Sequence, residues 1–272
     1  MISLSRERME ELFLQYLADI FNLSEVRSAC VKGVVITRDV MADAGKKAFD
    51  ASFHDYYSDI DLSVQVCLPQ NGSVTPEEYT KRIDRFGVSA DTVLGWMFVP
   101  DNQVYRIIFR NGMRYDFIFE FEYSDDVTVD LGEPESRDAD NPDWPVENIN
   151  RFWFIQIQAL GKLYRRDYLI SSHLANMNCN ETLVMQMIMR DLEHGTNHHR
   201  YGYSEELEYV KELGKLPYRS SDETFGRIAD QIYAVALAYD RLAKFFYPQY
   251  QDRSGIFFDI WDWYESCSTQ NG

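Results

Sequence analysis

The chain has 272 residues, is 45% hydrophobic and carries 27 Lys and Arg against 44 Asp and Glu, a formal net charge of −17. A field of that sign repels phosphate backbones and draws in cations, so a nucleic-acid partner is disfavoured and a small cationic molecule favoured. The sequence has no apolar run long enough to span a membrane and no signal-peptide core. Cys30, Cys67, Cys179 and Cys267 form no metal or disulfide pattern, so a cytoplasmic protein with no membrane partner is expected.

At this length two modest cores are expected, with the texture changing near Asn148: a first domain over 1–147 and a second over 148–272. Ser5 caps a first helix whose apolar positions Met9, Leu12, Phe13, Tyr16, Leu17, Ile20 and Phe21 recur at three- and four-residue steps. Ala29 to Ile36 reads as a short buried strand interrupted by Gly33, and Thr37 to Tyr57 as a polar, irregular connection.

The next stretch organises the chain. In Ile60, Leu62, Val64 and Val66 apolar residues alternate, the pattern of a strand with one buried face, so Asp59 and Asp61 point together to the other face. Two carboxylates about 4 Å apart, at an effective dielectric of about 20, repel by roughly 4 kcal/mol. A cation between them is the natural relief, and magnesium, which takes a few carboxylates and completes its shell with phosphates, fits best. Asp-x-Asp alone is common in an acidic chain, where a solvated strand end is the bland alternative. A third carboxylate on a second strand, Asp116, strengthens the functional reading.

Thr75 and Pro76 then start a helix that runs to about Phe86. Asn111-Gly112 between strand-like runs marks a hairpin, Val104 to Arg110 and Met113 to Tyr123. In its second strand Tyr115, Phe117, Phe119, Phe121 and Tyr123 share a core face, which leaves Asp116, Glu120 and Glu122 on a wetter one. Glu120 or Glu122 there is either a general base or a solvated strand carboxylate. The acidic, proline-bearing stretch Ser124 to Asn150 is a connection or a flap. Helices are expected over Asn150 to Tyr168, Glu181 to Glu193, Ser204 to Leu213 and Ser221 to Tyr247, with Trp261 to Trp263 packing the C-terminus. Lys162, Arg165 and Arg166 are the densest basic patch, for phosphate or for surface acids. His194 and His198 have metal-pair spacing and His199 adjoins them, but Gly195 and Asn197 break the helix that would make the spacing meaningful.

A strand opening on Asp59 and Asp61, a later strand bearing Asp116, and a helical C-terminal half resemble the nucleotidyltransferases of the DNA polymerase beta superfamily. Within that superfamily the chain is most similar to the aminoglycoside (streptomycin) 6-adenylyltransferases, through the segment Arg151 to Phe154, the run Gly161-Lys162-Leu163-Tyr164-Arg165-Arg166-Asp167 and the helix ending Phe245-Phe246-Tyr247-Pro248. The resemblance implies an α+β protein, with an N-terminal mixed sheet with helices and a C-terminal helical bundle that binds substrate. It further implies magnesium on Asp59, Asp61 and Asp116, ATP as co-substrate, AMP transfer to a hydroxyl of a cationic acceptor, and catalytic roles for Asp59, Asp61 and Asp116, to which Glu120 is added as the candidate base on the same strand face. Gly33, Ser58, Lys162 and Arg165 would hold the nucleotide. The family's Gly-Ser at the end of its first strand is missing; the nearest candidate is Gly33-Val34. Either Thr37 or Ser58 replaces the hydroxyl, or triphosphate binding is weakened or lost, in which case the chain is a nucleotidyltransferase-fold binding or regulatory protein.

Overall fold

The computed structural model describes residues 2, 4–133, 144–146, 149–195, 208–217 and 221–270. The chain is α+β and divides into two compact units, Met1–Arg137 and Asp138–Gly272. This division and the expected boundary at 147 both fall between the last strand and the first helix of the helical unit.

The first unit is one mixed sheet with helices. Its strands, β1 (Val26–Val31), β2 (Val34–Ile36), β3 (Ile60–Pro69), β4 (Val93–Val99), β5 (Val104–Phe109) and β6 (Arg114–Ser124), stand in the order β2-β1-β3-β6-β5-β4. Only the central pair, β3 with β6, is parallel. The alternation of β3 is as expected: Ile60, Leu62, Val64 and Val66 are buried while Asp61, Ser63 and Gln65 are not. Those apolar residues, with Tyr115 and Phe117 of β6, meet Phe13, Leu17 and Ile20 of helix α1 (Arg6–Phe21) in the core. Each such side chain contributes roughly 1.5–3 kcal/mol by burial. Ser5 caps α1 by accepting from Arg8 N.

Four local expectations are corrected. Ala29 to Ile36 is a hairpin of β1 and β2, turned by Lys32 and Gly33 with φ of 48° and 79°, rather than one interrupted strand. Within the supposedly irregular 37–57 stretch lies helix α2 (Met41–Ser52), whose buried face is Gly45, Ala48, Phe49 and Ser52. Apart from Phe49 that face is made of small residues, and the helix packs closely at Gly45, where a Cβ would stand 2.6 Å from Leu14 of α1. The helix begun at Thr75 with a full capping box is short, α3 (Pro76–Thr80), and Ile83–Phe86 is a separate 3-10 turn. Strand β4, an apolar run next to the Asn-Gly hairpin, was not anticipated. The hairpin itself forms, with Gly112 in the left-handed region at φ 91°.

The second unit is helical: α4 (Ile149–Tyr164), α5 (Tyr168–Glu193), α6 (Glu223–Phe246) and α7 (Ser254–Gln270). Helix α4 stops at Tyr164 rather than 168, beside Arg166 at φ 60°. Helix α5 starts thirteen residues earlier than expected, at an Asp167 cap, and buries small and polar groups (Ser171, Ala175, Asn178, Thr182), which hid its stripe. Trp261 and Trp263 belong to the whole helix α7. Of the expected 204–213 helix, 204–207 lie outside the described residues, and Val210–Glu212 is one 3-10 turn. Among the described residues no helix is long and apolar enough to cross a membrane.

The interior of this unit is tied by polar as well as aromatic contacts. Phe152 stacks on Tyr239 with centroids 3.5 Å apart. Gln156 donates to the carbonyl of Ile232 at 2.7 Å and accepts from Asn178 at 2.8 Å, joining α4, α5 and α6.

Candidate functional site

In parallel register, β3 and β6 place Asp61 directly beside Asp116. Like charges directly opposite on neighbouring strands destabilise a sheet. The β5–β6 ladder sets Arg106 beside Asp116 on the other side. The β1–β3 ladder pairs Cys30 with Ser63, and two residues further on it brings Lys32, in the hairpin turn, to Asp61. A row Lys32, Asp61, Asp116, Arg106 therefore runs across four strands, on the face opposite the helix-covered core. Asp59, just before β3 begins, acts electrostatically on both Asp116 and Lys32.

The contacts within the row differ in quality. Lys32 Nζ donates to Asp61 Oδ2 at 2.5 Å, an exposed pair that raises the Lys32 pKa. Arg106 Nε stands 3.3 Å from Asp116 Oδ2 without the alignment of a hydrogen bond. Arg114, buried, donates to the carbonyl of Tyr57 at 2.9 Å. Asp116 thus gains charge neutralisation but no hydrogen bond from the described residues. Burial, and then the Asp59 and Asp61 carboxylates, push its pKa up to about 6, against the opposing pull of Arg106 and Arg114.

Glu120 lies on the same face, two strand repeats beyond, where it accepts from Ser63 Oγ at 2.6 Å. Glu122 stands 3.9 Å from Arg27. Ser58 donates its hydroxyl to Asp55 Oδ1 at 2.8 Å, in a turn where Tyr57 N bonds the same oxygen. Gly33 is required by its left-handed φ, and nothing lies within 4 Å of where its Cβ would be. Its neighbour Lys32, which the sequence reading passed over, is the turn residue that reaches the carboxylates. The missed signal is a two-residue turn flanked by valines, Val31-Lys32-Gly33-Val34, which is a hairpin pattern.

Lys162 and Arg165 belong to the second unit, at the C-terminal end of α4. Lys162 stands 3.8 Å from Asp167, and Arg165 N bonds the carbonyl of Gly161. Their neighbour Arg166 lines a cavity of about 340 Å³ in that unit, together with Tyr164, Tyr168, Asp222 and Glu265. His198 and His199 lie outside the described residues.

As a ligand set, three carboxylates offer the hard oxygen donors that magnesium prefers. The described residues nonetheless contain no group of three or more His, Cys, Asp or Glu drawn close enough to hold a metal as they stand. A divalent ion would therefore have to draw the carboxylates together and displace protein cations. A cavity of about 610 Å³ lies elsewhere in the first unit, between α1 and the β5–β6 turn, lined by Tyr16, Phe86, Phe109 and Tyr115. No family model matches the chain, and no curated protein matches its sequence.

Proposed function

We propose that the protein is a magnesium-dependent nucleotidyltransferase that moves AMP from ATP to a hydroxyl of a small cationic molecule of the aminoglycoside class. The observation that carries this reading is the in-register juxtaposition of Asp61 and Asp116 on parallel central strands, with Asp59 close enough to raise the Asp116 pKa further. Side-by-side carboxylates work against sheet stability, and a divalent cation would relieve their repulsion more fully than the exposed Lys32 and the poorly aligned Arg106 do.

Asp59, Asp61 and Asp116 would hold the ion, which when bound supplies neutralisation of the charge that develops on the transferred phosphate. The raised pKa of Asp116 belongs to the metal-free site, and a bound divalent ion would pull it back down. Glu120, already accepting from Ser63, is placed to hold that edge of the face. The net charge of −17 favours a cationic acceptor, whose affinity should fall steeply between low and physiological salt.

The test is incubation with labelled nucleoside triphosphates and a panel of aminoglycosides, scoring pyrophosphate release with and without a chelator. Turnover that needs magnesium and is lost in Asp59→Asn supports the proposal. Failure of any triphosphate to release pyrophosphate removes it.

One observation favours a second reading, a binding or regulatory protein without turnover. Asp61 and Asp116 each already face a protein cation, Lys32 and Arg106. Magnesium-dependent thermal stabilisation by ATP, with no pyrophosphate release, would select it.

A further inference from the structure

The cavity of about 610 Å³ between α1 and the β5–β6 turn takes no part in the carboxylate row. Its size lies within the range of small-molecule sites, and its walls are mostly apolar. Three of its rings meet at steep angles: Tyr16 stands edge-on to Phe109 with centroids 5.4 Å apart, and Phe109 meets Tyr115 at 85° and 5.7 Å. Such a corner offers both ring faces and ring edges to a flat apolar molecule.

Two buried groups on this cavity have nothing to bond. Tyr115 is 1% exposed, and its hydroxyl has no hydrogen-bond partner among the described residues. The neighbouring Tyr16 hydroxyl, by contrast, donates to the carbonyl of Phe86 at 3.1 Å. Arg85 donates through Nη1 to the carbonyl of Asp130 at 2.8 Å and pairs through Nη2 with Glu25, yet its buried Nε also lacks a partner among the described residues. Burial, and after it the nearby Tyr16, hold the Tyr115 phenol well above its ordinary pKa, so it keeps its proton and remains a donor. The Nε of an arginine can only donate. An unpaired buried donor costs ~1–3 kcal/mol, and one kind of group, an oxygen acceptor, answers both.

Charge narrows the class further. Arg85 and Arg110 line the cavity together with Asp19, and Arg85 is already paired with Glu25. An anion entering there meets Asp19 and the field of a chain of net charge −17, and a cation meets two guanidinium groups. A neutral molecule meets neither penalty.

We propose that this cavity binds a flat, neutral, largely apolar molecule whose carbonyl oxygen accepts from the Tyr115 hydroxyl. Tyr115 and Asp116 are consecutive residues of β6 and point to opposite faces of the sheet, so the site is separate from the carboxylate row and does not depend on nucleotidyl transfer.

The probe is prodan, a neutral naphthyl ketone whose emission moves to longer wavelength when its carbonyl is hydrogen-bonded. It is titrated into the native protein, into Tyr115→Phe, which keeps the ring and removes the hydroxyl, and into Leu12→Trp, which fills the cavity from its α1 side. The same titrations use 2-dimethylaminonaphthalene, which lacks the carbonyl. The native protein should bind prodan saturably, and Tyr115→Phe should bind it about fivefold more weakly, the loss of one neutral hydrogen bond, with bound emission at shorter wavelength. The analogue without a carbonyl should bind these two proteins alike, and Leu12→Trp should bind neither probe. Because the hydroxyl has no partner within the fold, Tyr115→Phe should melt no lower than the native protein, which also shows that the variant is folded. No saturable prodan binding by the native protein, equal affinity in Tyr115→Phe, or binding retained by Leu12→Trp would overturn the proposal. So would a lower melting temperature for Tyr115→Phe, which would give the hydroxyl a partner inside the protein.

Discussion

Asp116 in the sheet and Asp240 in the helical unit are both largely buried, and burial raises the pKa of each. Their surroundings differ. Asp240 accepts from Tyr250 Oη at 2.6 Å, from Arg253 N at 3.2 Å and from Ser254 N at 2.9 Å, and Tyr250 in turn accepts from the indole of Trp153 at 2.8 Å. That carboxylate closes the start of α7 and ties it to α6 and α4, so its hydrogen bonds offset part of its burial. Asp116 receives two guanidinium fields, two carboxylate fields and, from the described residues, no hydrogen bond. The difference separates two kinds of buried acid: one saturated with donors is a structural joint, whereas one short of donors beside a second acid is a candidate functional group.

Substitutions can break or sharpen that contrast. The largest effect should come from Asp240→Leu, which orphans the Tyr250 hydroxyl and two backbone N–H groups. Urea unfolding should show a loss of about 3–5 kcal/mol, and a loss below about 1 kcal/mol would remove the distinction.

Asp116→Asn should act in the opposite direction. The folded pKa of about 6 lies above the ordinary value of 3.8, so the folded protein holds this proton more firmly than the unfolded chain does. The stabilisation this gives is complete below about pH 4 and is lost as pH rises through 6. Asp116→Asn should therefore be more stable than the native protein at pH 7, by on the order of 3 kcal/mol, and no more stable at pH 4. Identical unfolding curves at pH 7 would mean that the carboxylate is satisfied after all.

Gly33→Val, forced into the left-handed region, should cost roughly 1–2 kcal/mol by loosening the hairpin that carries Lys32. Thermal melts that match the native protein would show that the turn adapts without cost. The smallest effect on stability belongs to Asp61→Asn, under about 1 kcal/mol because its pair with Lys32 is exposed. Denaturant midpoints that separate by more than this would place Asp61 among the structural joints with Asp240.

Much of the fold was legible from local pattern. The alternation from Ile60 to Val66, the Ser5 and Thr75 caps, the Asn-Gly hairpin and the aromatic face of β6 all carry their physics within a few residues. Helix α2 and the first half of α5 were not legible, because a helix that packs through Gly45 and Ala48, or through Ser171 and Asn178, has little apolar stripe to betray it. Its pattern makes sense only against the close neighbour that requires small side chains.

The candidate site divides along the same line. By itself the sequence determined that Asp61 lies on the polar face of one strand and Asp116 on the polar face of another, since side-chain direction along a strand follows from its period of two. Tertiary structure alone decided that the strands are parallel neighbours in a register that sets Asp61 beside Asp116, and that a hairpin delivers Lys32 to one end of the row and β5 delivers Arg106 to the other. Register between strands distant in sequence is fixed by the fit of their buried faces across the whole core, and no short stretch of chain contains that information.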